Sequence, residues 1–113
     1  MTKILVIEDE LAIREIIWEI LSGEFDVFNA EDGQVGLQLA QDKAPDLILC
    51  DIIMPVLSGY EVLSELRKNI TTAATPFIFI TAKASNLDFR QAMALGADDY
   101  ITKPFTREDL LGA

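Results

Sequence analysis

Short apolar runs alternate with longer amphipathic stretches along the whole chain. Five runs stand out: Ile4–Ile7, Phe25–Phe28, Leu47–Cys50, Phe77–Ile80, and Tyr100–Ile101 with its neighbours. They are continuous rather than alternating, the pattern of strands covered on both faces, as in a parallel sheet. Between the first two, Ile13, Ile16, Ile17, Ile20 and Leu21 recur at i, i+3, i+4, i+7 and i+8, a single helical stripe that stops at Ser22-Gly23. Asp32-Gly33 marks a turn, and Val35, Leu39 and Ala40 predict a second helix ended by Lys43-Ala44-Pro45. Leu63, Leu66 and Ile70 predict a third, and Phe89, Ala92 and Met93 a fourth closed by Gly96 as its C-cap. Thr106-Arg107-Glu108-Asp109 reads as the N-cap and acidic first turn of a fifth.

The order is strand then helix, five times over. It predicts an α/β fold: a doubly wound, five-stranded parallel sheet with right-handed crossovers and helices on both faces. No Pro/Gly/Ser-rich linker or repeat interrupts residues 1–113, so they read as one domain. At this length a core can remove roughly two-thirds of the unfolded surface from water.

In such sheets the functional crevice lies beyond the carboxyl ends of the strands. The residues there are Glu8-Asp9 after the first strand, Asp51 after the third, Thr81 after the fourth and Lys103-Pro104 after the fifth. Singly, each has an ordinary role open to it: Asp9 as a helix N-cap, Asp51 as a turn former, Thr81 as a strand end, Lys103 as a solvated charge. Together they read differently, because three clustered carboxylates raise one another's pKa unless a cation sits among them. Hard oxygen ligands suit Mg²⁺. A dinucleotide or FMN phosphate is disfavoured by the same acids, and Ile7-Glu8-Asp9-Glu10-Leu11 has no glycine to bring backbone amides close to a phosphate.

Composition narrows the chemistry further. Half of the residues are hydrophobic, which argues against disorder. Histidine is absent, which removes Ser-His-Asp and Cys-His relays, His-ligated metals and any phosphohistidine of the chain's own. The one cysteine, Cys50, allows no internal disulfide and sits in an apolar run as a small hydrophobe. With 9 basic and 19 acidic residues the net charge is −10, which repels polyphosphate backbones, so direct nucleic-acid binding is not expected. No apolar stretch is long enough for a signal-peptide core or a membrane span, and the chain reads as cytoplasmic with no membrane partner.

Glu8-Asp9, Asp51 followed by Met54-Pro55 and Gly59, Thr81-Ala82, and the run from Gly96 to Phe105 together resemble the receiver domain of bacterial two-component response regulators. The resemblance covers nearly the whole chain. It implies a flavodoxin-like strand order, 2-1-3-4-5. It implies that Asp51 is the nucleophile taking a phosphoryl group from a phosphohistidine on a sensor histidine kinase or a histidine phosphotransfer protein. Asp9, Asp51 and the backbone carbonyl of Ile53 would ligate Mg²⁺, with Glu8 reaching it through water. Lys103 would pair with Asp51 and then with the phosphoryl oxygens, Thr81 would hydrogen-bond the phosphoryl group, and Tyr100 would rotate inward as the switch. Pro104 would be a cis-proline that aims the Lys103 ammonium. Such a domain phosphorylates and dephosphorylates itself and is not a turnover enzyme.

The sequence departs from the commonest family pattern in places. The first acid is Glu8 rather than aspartate, and Ile53 and Lys83 occupy positions that in the family tune autodephosphorylation. A fifth helix from Thr106 has room for only about eight residues, ~12 Å. The expectation is a receiver shortened within that helix, a piece of a longer regulator or hybrid kinase. Shortening would uncover part of the Ile13–Leu21 stripe and Trp18, a surface for a homodimer or for the kinase. Two other readings compete: a phosphorylation-independent receiver-like interaction module, and a small Mg²⁺-dependent phosphohydrolase. The first would lack part of the acid and lysine set, and none is missing; the second would want an Asp-x-Asp motif, and Asp51-Ile52-Ile53 lacks the second acid.

Overall fold

The computed structural model describes residues 2–81, 86–103 and 105–112. Pro104, and with it the cis-proline expectation, lies outside the described residues, as do Ala82 and Lys83. The elements run β1 (Lys3–Ile7), α1 (Leu11–Leu21), β2 (Asp26–Ala30), α2 (Gly33–Lys43), β3 (Leu47–Asp51), α3 (Gly59–Lys68), β4 (Phe77–Thr81), α4 (Asn86–Ala94), β5 (Asp99–Thr102) and α5 (Arg107–Leu111). The strands form one all-parallel sheet in the order β2-β1-β3-β4-β5.

Strand alternation divides the core in two. Leu5, Ile7, Ile48, Cys50, Phe77 and Phe79 pack with Ala40 of α2, Val62, Leu63 and Leu66 of α3, and Ala92 of α4. Ile4, Val6, Leu49, Ile78, Ile80 and Ile101 pack with Ile17 and Leu21 of α1 and Leu110 of α5. Helices therefore cover both faces, which is why the central strands β1, β3 and β4 are apolar at successive positions, while the edge strands β2 and β5 are partly exposed. Phe77 and Phe79 are fully buried and meet edge to face at 4.9 Å. Burying each such side chain contributes roughly 1.5–3 kcal/mol.

Capping explains several boundaries. Ser58 opens α3 with a capping box to Glu61, and Thr106 opens α5 with one to Asp109. Asp32 caps α2 by accepting from the Val35 amide. Gly96, at φ 99°, ends α4, with the Ala97 amide reaching back to the Ala92 carbonyl. At the start of α1 the capping position belongs to Glu10, whose side chain makes no cap bond. Asp9 is therefore not an N-cap.

Four local expectations are corrected. Ile70 does not extend the third stripe: α3 ends at Lys68, the Asn69 carboxamide accepts from the Thr71 amide in a local turn, and Ile70 is 95% exposed. Ile16 lies at the margin of the first stripe and is exposed, while Ile17 and Leu21 face the core. The second strand begins at Asp26, because the Phe25 amide is still bound to the Leu21 carbonyl at the end of α1. In α2 the buried positions are Gly33, Gly36 and Ala40, not Val35. A Cβ on Gly36 would come within 2.5 Å of Ile7, so glycine sets how closely α2 approaches the sheet.

Candidate functional site

Parallel strands all point one way, so their carboxyl ends bring residues distant in sequence to one rim. Glu8 directly follows β1, and its amide extends the ladder to the Ala30 carbonyl. Asp51 closes β3 and Thr81 closes β4; both are buried. Lys103 follows β5, anchored by its amide to the Thr81 carbonyl at 2.8 Å.

The anchored Lys103 turns its ammonium into the acids. Its Nζ lies 3.0 Å from Asp51 Oδ2, 2.6 Å from Glu8 Oε1 and 3.9 Å from Glu10 Oε1. Glu10 is mostly exposed, and a contact of that length in water is worth little. The other Asp51 oxygen accepts from the Ile52 amide at 2.7 Å. Both Asp51 oxygens are thus oriented before any substrate arrives.

Three further groups shape the rim; of these only Gly59 was singled out in the sequence, and there without a role. Arg14 reaches back one turn from α1 to donate to the Glu8 carbonyl at 2.8 Å, fixing the backbone of the acidic pair. Gly59 presses the start of α3 onto the Asp51 backbone, donating its amide to the Ile52 carbonyl at 2.7 Å; a Cβ there would overlap the Asp51 carbonyl oxygen. The turn between them is strained at Val56, a β-branched residue at φ 71°. A basic residue one turn past the acids, and a glycine eight after Asp51, were the available signals.

A divalent cation fits the donor set. One oxygen each from Glu8, Asp9 and Asp51 lies within 4.8 Å of the others. Glu8 Oε2 and Asp9 Oδ1 are buried and accept no hydrogen bond among the described residues. Orphaned carboxylate oxygens are costly, and a hard cation satisfies them. Ile53, two residues past Asp51, presents an apolar side chain that is 62% exposed. Tyr100 is half-buried on β5, in register with Phe79 of β4 and packed on the α3-side core.

The electrostatics follow from burial. Burial raises the Glu8 pKa to about 8, reinforced by Asp51 and only partly opposed by Lys103. Burial alone would lower the Lys103 ammonium, but its hydrogen bonds to Glu8 and Asp51 outweigh that and hold it above its usual value. The Cys50 thiol, fully buried beside Asp51 and Glu8, is pushed well up and stays protonated.

A pH dependence follows for the chelated protein. Between the unfolded value of 4.5 and the folded value of about 8 for Glu8, the native state holds a proton that the unfolded chain has lost. Stability contributed by this group is therefore present at low pH and lost as pH rises through that window, by at most ~1.4 kcal/mol per pH unit. The urea midpoint in chelator should fall between mildly acidic and mildly alkaline buffer, and a divalent cation, which favours the ionised carboxylate, should reduce that fall.

Comparisons with known proteins bear on the family and the fold. A sequence model described as the response regulator receiver domain matches residues 4–113. The transcriptional regulatory protein CiaR of Streptococcus pneumoniae is 44% identical over 111 residues, which are 97% of this chain and 48% of CiaR. The histidine kinase P4 of Formosa agariphila is 36% identical over 92% of this chain, which is 8% of that kinase. The chain thus spans about half the length of regulators such as CiaR and a small part of the kinase. The chemotaxis protein CheY4 of Vibrio cholerae superposes with a TM-score of 0.94 at 32% identity, covering 99% of this chain and 94% of that one. No described helix is long and apolar enough to cross a membrane.

Proposed function

The chain belongs to the response regulator receiver domain family, a family of signalling domains rather than substrate-turnover enzymes, and from that premise we propose that Asp51 is its phosphoacceptor. The observation that carries the assignment is the Asp51 carboxylate held 3.0 Å from Lys103, beside the orphaned oxygens of Glu8 and Asp9. Asp51 attacks phosphorus, the N–P bond of a partner's phosphohistidine breaks, and the imidazole leaves with the electron pair. The donor is a histidine kinase or a histidine phosphotransfer protein, since this chain has no histidine.

The barrier is electrostatic, because a carboxylate must approach an anionic donor. Bound Mg²⁺ supplies the positive charge that lets the two meet. Asp9, Asp51 and the Ile53 carbonyl would hold it directly, with Glu8 reaching it through water. Lys103 passes from the Asp51 oxygen to a phosphoryl oxygen as charge moves outward. Thr81, at the neighbouring strand end, supplies a hydroxyl to the same group. Drawing Thr81 toward the phosphoryl group frees space beside β5, and Tyr100 turns inward to fill it, which alters the surface a partner reads.

Incubation with phosphoramidate, a small N–P donor, should label Asp51 in Mg²⁺ and not in chelator. Labelling indifferent to chelator would contradict the assignment. The adduct should also persist. Ile53 has no polar atom in its side chain to orient an attacking water, so the phosphoryl group should survive for minutes or longer in kinase-free buffer. Loss within a few seconds would contradict this.

The exposed Leu11, Ile16 and Trp18 of α1 offer an apolar contact for the phosphodonor or for a second copy. A strictly monomeric sedimentation profile at high concentration would remove the second of these. The interaction-module and phosphohydrolase readings are not favoured: the acids and the lysine are all in place, and no second acid follows Asp51 at the hydrolase spacing.

A further inference from the structure

Ile70 is the most exposed large hydrophobic side chain among the described residues, and it stands on a firmly bonded turn. The Asn69 carboxamide accepts from the Thr71 amide at 3.0 Å, and the Thr72 amide donates to the Asn69 carbonyl at 3.0 Å. Thr72 is buried, and its hydroxyl donates to the Leu66 carbonyl at 2.7 Å. Arg67 holds the far side of the turn through the Thr75 carbonyl, also at 2.7 Å. Ile70 is thus fixed before any partner arrives, so docking it costs little chain entropy.

Beside it lies a groove of about 510 Å³ between α2 and α3, with Leu37 and Leu66 as its apolar part and Gln41, Glu65 and Lys68 as its polar part. A knob and a hollow in one patch meet the condition for a two-fold contact, in which each copy seats its knob in the other's hollow. The charges fit the same symmetry. Glu65 and Lys68 are neighbours on α3, 3.4 Å apart, and a two-fold axis passing between them sets each opposite its counter-charge in the second copy. Elsewhere a second copy meets repulsion, since the net charge is −10 and the groove beside β5 and α5 is lined by Asp99, Glu108 and Asp109 with no basic residue among its described lining.

We propose that Ile70 and the α2–α3 groove form a two-fold docking surface for a second copy of this chain. Both helices start near the carboxyl ends of the strands and run back along the sheet, so their last turns lie at the opposite edge from Asp51. The contact therefore leaves the rim open on both copies and does not depend on phosphorylation. With one knob per copy it is small and the dimer weak, with a dissociation constant on the order of 100 µM.

The test is sedimentation equilibrium of the chain from about 10 µM to about 1 mM. The average mass should rise towards the dimer value across that range, and to the same extent in Asp51→Asn. Ile70→Ser leaves the bonds of the turn in place, so it should keep the melting temperature while weakening association about tenfold or more. Lys68→Glu should weaken it about threefold, and adding Glu65→Lys, which restores one charge of each sign, should bring it back. Raising salt from about 0.05 M to about 0.5 M should tighten the dimer, because screening a net charge of −10 outweighs screening two exposed pairs. A chain that stays monomeric throughout the range would overturn the proposal and leave the groove to a different protein. A dimer that survives Ile70→Ser, or is lost in Trp18→Ser instead, would overturn it in favour of the apolar face of α1. Charge exchange without recovery, or a dimer loosened by salt, would equally overturn it.

Discussion

Replacing Lys103 with Met should both destabilise the chelated protein and nearly abolish phosphoryl transfer. The lysine side chain is 14% exposed and bonds two carboxylates that are more buried still. Removing one partner from a buried ion pair leaves the other uncompensated, at a cost of about 3–5 kcal/mol. The low end applies at neutral pH, because Glu8, its pKa raised to about 8, already holds a proton there and does not stand as a second unpaired charge. Urea unfolding in chelator should register this loss, and Mg²⁺ should restore part of it by supplying the missing positive charge. Transfer to Asp51 should not recover with stability. It should stay down by about 10²–10³-fold even in saturating Mg²⁺, the scale for losing one donor aimed at developing charge. Wild-type transfer rates in Lys103→Met would show that Lys103 is only a structural counter-ion.

Gly59→Ala should have the second-largest effect, and for a steric reason. The added Cβ would overlap the Asp51 carbonyl oxygen and lie 2.9 Å from the Ile52 Cα, both backbone atoms that no rotamer change can move aside. The start of α3 would have to lift away from β3, straining the 2.7 Å bond from the Gly59 amide to the Ile52 carbonyl. Overpacking of this kind costs about 1–3 kcal/mol. Asp51 should lose its alignment as well, so phosphorylation should slow along with the drop in stability. Gly23→Ala is the control: nothing lies within 4 Å of its added Cβ, and it should change stability by no more than about 0.5 kcal/mol. Equal effects at the two glycines would show that close approach of α3 to β3 does not decide the outcome.

The apolar runs of β1, β3 and β4 were legible because strands buried on both faces leave few polar positions to confuse the signal, whereas the edge strands β2 and β5 carry the exposed Asp26, Asn29 and Thr102. Chain order then brought Glu8, Asp51, Thr81 and Lys103 to one rim without any structure. Less legible were contacts that depend on small size or reach. Gly36 carries no hydrophobic signal yet sets the approach of α2 to Ile7, while the more hydrophobic Val35 faces outward. Ile70 fitted the helical period, but a local turn at Asn69 outweighed it.

Reach accounts for the same gap in the site. Nothing in the spacing of Glu8 and Lys103, 95 residues apart, indicates that their bond is the shortest in the rim. Arg14 is one of several charges on an amphipathic helix until its guanidinium is seen on the Glu8 carbonyl. Arg67 likewise reads as an exposed helix end. It instead clasps the Thr75 and Gly96 carbonyls and pairs with Asp98, joining the loops on either side of β4 and α4.

The central claim is that Asp51 takes a phosphoryl group with the help of a divalent cation. Its most direct test is the intact mass of the protein after incubation with acetyl phosphate, with Mg²⁺ or chelator, for the wild type and Asp51→Asn. The structure leads us to expect a single phosphoryl adduct on the wild type in Mg²⁺, none in chelator, and none on Asp51→Asn. An adduct that persists in Asp51→Asn, or a wild type that stays unmodified in Mg²⁺, would contradict the claim.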